Sequence, residues 1–273
     1  MLRDTFDEDA DRYDRARPAY PAPLVGELAA LARLGPGRRV LEVGPGTGQL
    51  TVPLARYGCR ITAVELGPSL AAVAARNLRP FPAAEVVVAP FETWAPPPEP
   101  YDLMVVATAF HWLDPAVRLA RAADALRAGG LLALVTTHHV ASETTRSDDD
   151  FFADAQKCYE RWDPATPPGL RPRRAELVAT DTGEQAGSDR FGPVSVARWT
   201  REITYSADTY IDVLLTYSGH RALEPVARRG LLADLRALID GRYGGHITKT
   251  YLHELITARK EPENPGKFTE STG

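Results

Sequence analysis

The sequence predicts an α/β protein built on a doubly wound, mostly parallel sheet. Three observations carry this. Short apolar runs alternate with helical patterns from residue 38 to 137; the runs are apolar throughout; and a glycine-rich turn joins the first run to the first helical pattern. Strands that are hydrophobic on both faces must be covered on both faces, which is how parallel strands joined by crossover helices are buried.

The elements follow in order. "RRVLEV" (38–43) is an apolar run that stops at glycine, and "CRITAVE" (59–65) is β-branched and ends on an acid. "AEVVVAP" (84–90), "YDLMVVATA" (101–109) and "GGLLALVTT" (129–137) complete five buried strands. Helical patterns lie between them at 48–58, 69–78 and 114–130; the last opens on Asp-Pro and closes on a double glycine, both helix-end signals. Beyond 137 the pattern changes. A polar stretch and the loop "DPATPPGLRPRR" (163–174) precede a strand at 196–206, helical runs at 208–217 and 223–241, and a closing strand at 244–260. The expected organisation is a cofactor-binding half with N-terminal lid helices (1–137), mainly helical cap insertions around one core strand near 196–206 (138–243), the closing strand (244–260), and a disordered tail (261–273).

Composition narrows the function. A net charge of −4 argues against binding nucleic acid through phosphate contacts. Two cysteines support neither a disulfide framework nor a thiolate metal cluster. No apolar stretch reaches the roughly 20 residues needed to span a bilayer, and the charged start shows no secretory pattern. The expectation is a cytoplasmic protein, monomeric or homodimeric, with a small-molecule partner and neither a nucleic acid nor a membrane.

The most specific local signal is "VLEVGPGTGQLT" (40–51): strand, glycine turn, helix, the geometry that brings backbone N–H groups up to a ligand. Gly44, Gly46 and Gly48 stand at G-x-G-x-G spacing. A dinucleotide fingerprint needs a third small residue where this chain has Gln49, and the Gly-Lys-Ser/Thr of a P-loop is absent. Glu65, 21 residues past Gly44, is placed to accept hydrogen bonds from both ribose hydroxyls of a nucleoside. Glu42 adds negative charge beside the loop, unfavourable for a phosphate and favourable for a cation.

With "LEVGPGTG" (41–48), "AVELGPSL" (63–70), "APFETW" (89–94), "YDLMVVATAFHWLD" (101–114) and "LRAGGLLAL" (126–134), the chain resembles the class I S-adenosylmethionine-dependent methyltransferases. The resemblance implies a seven-stranded sheet with its last strand antiparallel. It implies a loop at 44–48 against the methionine half of S-adenosylmethionine, Ala107 bordering the cofactor, Glu65 on the ribose, and Leu66, Phe91 and Glu92 around the adenine. Plain core packing is the competing reading of Phe91. The segment "FDEDADRYDRARPAYP" (6–21) resembles a small-molecule subgroup that includes trans-aconitate methyltransferases; there a first helix folds over the cofactor, so that Tyr13, Arg17 and Tyr20 reach the methionine carboxylate or the substrate.

The implied chemistry is methyl transfer to a small molecule, at oxygen, driven mainly by proximity and orientation. A carboxylate acceptor needs no base, and a hydroxyl profits from one. His111 follows the fourth strand and serves either as that base or as pocket wall, the wall being favoured. His138 and His139 leave the fifth strand pointing opposite ways, so one of them at most enters the pocket; His138 is the candidate. "SDDD" (147–150) reads as solvated, and no metal is expected. Tyr210, Leu214 and Tyr217 form one helical stripe, read first as core packing. Trp162, Trp199, His220, His246 and His253 receive no role. N-methylation, a nicotinamide-dependent oxidoreductase and a non-catalytic cofactor-binding module remain the alternatives.

Overall fold

The computed structural model describes residues 7–142 and 146–262, the side chains of 146–149 excepted. The expected tail from 263 onward and part of the aspartate run fall outside the described residues. A seven-stranded sheet runs through the molecule in the order β3-β2-β1-β4-β5-β7-β6. Its parallel half comprises β1 (Arg39–Val43), β2 (Arg60–Glu65), β3 (Ala84–Val88), β4 (Tyr101–Ala107) and β5 (Leu126–Val140). The strands β6 (Ser195–Ser206) and β7 (His246–Arg259) pair antiparallel with each other, and β7 pairs antiparallel with β5.

Both faces of the parallel half are covered, as continuous apolar strands require. On one face α2 (Ala22–Ala32) and the short α3 (Thr51–Ala55) bring Leu24, Leu28 and Leu54 against Val40, Leu103 and Val105. On the other, α5 (Arg118–Ala125) packs Ala122 and Ala123 against Leu41, Met104 and Leu132. The helix α4 (Pro68–Asn77) supports α1 (Ala10–Ala16) through Leu70 and Val73. Beyond β5 come α6 (Arg146–Trp162) and the one-turn α7 (Gly183–Ala186), then α8 (Ala207–Leu214), α9 (Ser218–Ala222) and α10 (Pro225–Arg242) after β6. Of these, α6, α8 and α10 enclose a separate core. Phe151, Tyr210, Leu231, Leu235 and Ile239 pack there with Tyr205, Ile247 and Tyr251 of the antiparallel strands. The leucines and isoleucine of α10 recur every four residues and are fully buried, each contributing roughly 1.5–3 kcal/mol of transfer free energy.

Three local expectations are corrected. The helix expected over 114–130 spans only Arg118–Ala125, and its double glycine is not a helix stop. Leu126 already pairs with Tyr101, and the register slips before Leu103 meets Leu131. Gly129 takes φ +70°, and both glycines bond to the backbone of Lys260, so sheet pairing prevails over helix propensity here. The helix expected from 48 begins only at Thr51, because 46–50 are spent on turns of the glycine loop. The stripe of Tyr210, Leu214 and Tyr217 is broken: α8 ends at Leu214, and Tyr217 sits in extended backbone before α9. The first two are core, whereas Tyr217 faces a cavity.

Candidate active site

The carboxyl ends of β1, β4 and β5 open into a cavity of ≈ 380 Å³, within the roughly 300–1,000 Å³ usual for small-molecule sites. One wall is the glycine loop. Gly44, at φ +69°, donates its N–H to Val64 O at 2.9 Å, and a Cβ there would lie 2.7 Å from Ala109 Cβ. At Gly46, φ +60°, a Cβ would meet Tyr13 Cε1 at 3.1 Å. Only glycine permits this left-handed backbone and the close approach of α1 together.

The loop is pinned by the acid of the second strand. Glu65 accepts the Gly46 N–H on Oε2 and the Gly67 N–H on Oε1, each at 2.9 Å. Burial pushes its carboxyl above the ordinary range, while these N–H donors oppose that shift. A carboxylate has about four acceptor positions, so these backbone donors leave capacity for a hydroxyl. Glu42, at the end of β1, is 1% exposed with no hydrogen-bond partner on Oε2. Burial raises its pKa to about 8, with a smaller contribution from Glu65.

A second wall follows β4. Thr108 adopts φ +54°, a strained conformation for a β-branched residue, fixed by its N–H bond to Val135 O at 2.7 Å. Its hydroxyl lies 3.3 Å from that of Tyr20. The turn Phe110–Trp112 then carries His111, exposed at the rim with its ring 4.7 Å from that of Trp112. Arg118 holds this turn by donating to Phe110 O at 2.9 Å while its Nε donates to Glu184 at 3.0 Å. Partial burial at the rim and the Arg118 charge keep His111 below its ordinary pKa, so its ring is available as an acceptor near neutrality.

The remaining walls come from the two ends of the fold. The helix α1 brings Tyr13, and Arg17 at its end donates to Thr216 O at 3.0 Å in the turn before α9. From the seam between the parallel and antiparallel halves, Thr137 and His139 of β5 and Lys249, Tyr251 and His253 of β7 face inward. Thr137 pairs with His253 and His139 with Tyr251 across the ladder.

The cavity thus brings together Tyr13, Arg17, Tyr20, Glu42, Gly44, Ala107 and His111. Other expected residues lie elsewhere. His138 is corrected: as the neighbour of an inward residue on a strand it points to the opposite face. There its Nε2 lies 3.0 Å from Glu254 Oε2, in a cluster that also includes Thr136, Thr180 and Arg198. Phe91 is closed into the core, its carbonyl accepting from Arg121 Nε at 2.9 Å. Glu92 accepts the Asp114 N–H at 3.2 Å, and Leu66 is half-buried outside the lining. Asp7, from the N-terminal segment, lies against Gly67 and caps Leu70 N–H at 2.8 Å beside them. Trp162 packs on Gly230 and donates to Asp234 at 2.7 Å, and Trp199, half-buried on the edge strand β6, packs against the core.

Lys249, Tyr251, His253, His139 and Tyr217 are site residues the sequence reading did not assign. A signal existed for three of them. Lys249, Tyr251 and His253 stand at i, i+2 and i+4, one face of a strand, and polar residues on a face that should be buried mark a lined cavity.

Residues 40–130 match the family described as "Methyltransferase domain". The uncharacterized methyltransferase Rv3342 of Mycobacterium tuberculosis is 34% identical over 131 residues, 48% of this chain and 51% of that protein. The chain thus spans about half the length of the curated relatives it matches. Among solved structures, an Anaeromyxobacter dehalogenans protein provisionally assigned as a type II methyltransferase superposes with TM-score 0.62 at 24% identity, over 90% of this chain and 99% of its own. A Haemonchus contortus phosphoethanolamine N-methyltransferase, solved with phosphomonomethylethanolamine and S-adenosylhomocysteine, gives 0.54 at 14% identity over 96% of this chain and 60% of its own. Residues 40–130 thus match a methyltransferase domain, and the seven-stranded sheet has the Rossmann-like fold of these structures.

Proposed function

We propose that this chain transfers a methyl group from S-adenosylmethionine to a small acceptor, at oxygen, inside the cavity bounded by the glycine loop and the lid helix. The observation that carries it is the donor end. A glycine cradle with no room for a Cβ, a buried Glu42 oxygen without a partner, and a Glu65 carboxylate with acceptor capacity to spare fit a ligand that is cationic at one end and a nucleoside at the other.

When bound, the cofactor supplies a methyl group on a cationic sulfur. The chain's own residues do the rest. Glu42 offers a counter-charge in low dielectric, where such an attraction exceeds its value in water. Arg17 and Tyr13 cover the donor from the lid, and Tyr20 with Thr108 fixes the backbone at the end of β4. Enclosure by α1 and the turn before α9 excludes water, and holding the acceptor in line supplies most of the acceleration. His111 at the rim accepts a proton only from an acceptor that arrives protonated.

Calorimetry with S-adenosylhomocysteine tests the donor site. Glu65→Ala, which leaves two loop N–H groups without their carboxylate, is expected to weaken binding about 10- to 100-fold, given roughly 1.5–3 kcal/mol for charged hydrogen bonds. His111→Ala is expected to change it less than threefold. Equal binding by wild type and Glu65→Ala would remove the assignment. With an acceptor in hand, a His111→Ala rate that survives and stays flat with pH assigns that residue to the wall.

A further inference from the structure

The acceptor end of the cavity holds positive charge that no carboxylate among the described residues answers. Lys249 is 6% exposed, and no carboxylate among the described residues lies within ion-pair distance of its ammonium. Its contacts are instead the Tyr217 hydroxyl at 3.4 Å and the faces of two rings, Tyr217 at 5.1 Å and Tyr251 at 5.0 Å from their centroids. Two aromatic faces offset part of the cost of burying an ammonium, but a buried charge is ordinarily paired. Arg17 approaches the same Tyr217 ring at 4.7 Å, also without a carboxylate, and its Nε is buried with no partner.

The surrounding groups do not neutralise this charge. Glu42 is the one carboxylate among the lining residues, and it retains its proton up to about pH 8. Burial and Lys249 drive His139 far below its ordinary pKa, and burial with Arg201 holds His253 to about 4, so both stay neutral. Although burial opposes it, the fields of Lys249 and Arg17 pull the Tyr217 phenol below its ordinary value, a sign that negative charge is favoured at this point. Hydroxyl donors are also gathered here: Tyr251 lies 3.0 Å from Tyr205 and 3.5 Å from Tyr217, hydroxyl to hydroxyl.

Position separates the two cations by task. Arg17 rides on the lid beside the glycine loop, where the donor's own carboxylate falls in the methyl-transfer reading. Lys249 is one residue past the pairing of Val140 with Thr250, beyond the carboxyl end of β5, on the side away from β1.

We propose that Lys249, held between Tyr217 and Tyr251, binds an anionic group of the methyl acceptor, so that the acceptors of this site are acids carrying a carboxylate or a phosphate. This rests on the methyl-transfer reading for the word acceptor, but the anion site itself does not. The test is thermal unfolding of the protein loaded with S-adenosylhomocysteine, titrated with sodium acetate or inorganic phosphate at constant ionic strength. Wild type and Lys249→Arg should show a saturable rise in melting temperature. In Lys249→Gln and Lys249→Met the half-saturating concentration should increase at least tenfold, with S-adenosylhomocysteine affinity unchanged within twofold. Stronger saturation by acetate assigns a carboxylate, by phosphate a phosphomonoester. Identical titrations in wild type and Lys249→Gln would overturn the proposal. So would a response lost in Arg17→Gln but kept in Lys249→Gln. If wild type binds no S-adenosylhomocysteine, the methyl-transfer reading fails, and the same titrations on unloaded protein still decide the role of Lys249.

Discussion

Glu42→Gln is expected to stabilise the protein at alkaline pH and to damage its donor site at the same time. In the unfolded chain this carboxyl ionises near its ordinary value of 4.5, whereas in the fold it keeps its proton up to about 8. Between those values the native state binds the additional proton, so stability falls as pH rises. The penalty is absent below about 4.5 and complete above about 8. A tenfold change in proton affinity corresponds to about 1.4 kcal/mol, which puts the full penalty at roughly 2–5 kcal/mol. Denaturant titrations should therefore find Glu42→Gln more stable than wild type by that amount at pH 8.5 and equal to it at pH 4.5. A variant whose stability runs parallel to wild type at every pH would show that Glu42 ionises normally. The complementary result is expected in binding. A cation seated beside Glu42 favours its ionised form, so S-adenosylmethionine binding at pH 7 should release a proton, seen as a dependence of calorimetric heat on the buffer's ionisation enthalpy. Glu42→Gln should abolish that release and bind at least tenfold more weakly at pH 8.

Gly44→Ala should be the most damaging single methyl group in the molecule's glycine loop. Holding an alanine at φ +69° costs about 1–2 kcal/mol by itself. Its Cβ would also stand 2.7 Å from Ala109 Cβ, and forcing an added carbon into close packing costs roughly 1–3 kcal/mol more. The expected loss is about 2–5 kcal/mol, or on the order of 5–15 °C in melting temperature. Cofactor affinity should fall as the loop moves. Two controls separate the causes. Gly37→Ala has a similar φ, +86°, with nothing near its Cβ, and should lose only the backbone part. Adding Ala109→Gly to Gly44→Ala should restore the packing part, read as a coupling energy in the double-mutant cycle. Additive losses would mean that the two Cβ atoms never meet.

The glycine-loop half of the cavity was legible because its determinants are local. Gly44, Gly46, Glu42 and Glu65 are fixed by one strand-turn-helix unit and the strand beside it, and their spacing survives in the chain as a motif. The half of the cavity lined by β7 was not legible for the opposite reason. Whether Lys249, Tyr251 and His253 face a cavity depends on β7 pairing with β5, more than a hundred residues earlier, and a one-residue slip would turn all three outward. The same parity reversed the choice between His138 and His139. Tyr217 was misplaced because the Tyr210–Leu214 periodicity was continued past the end of α8. Among strands, the error at β5 came from reading Gly129 and Gly130 as punctuation when they form a bulge.

The lid's anchoring has a consequence for how the protein is made. Arg17 bonds to Thr216 O, Arg201 to Ala19 O and Arg259 to Leu31 O, so the segment around α1 and α2 is tied to residues roughly 180 to 230 positions later. Contacts of such separation form late, since loop closure must precede them. A nascent chain with only its parallel half synthesised has the glycine loop but lacks Lys249, Tyr251 and the turn that receives Arg17. The cavity walls are therefore completed only after β7 is inserted between β5 and β6, and a ligand that needs both walls reports on the finished fold, not on its cofactor half.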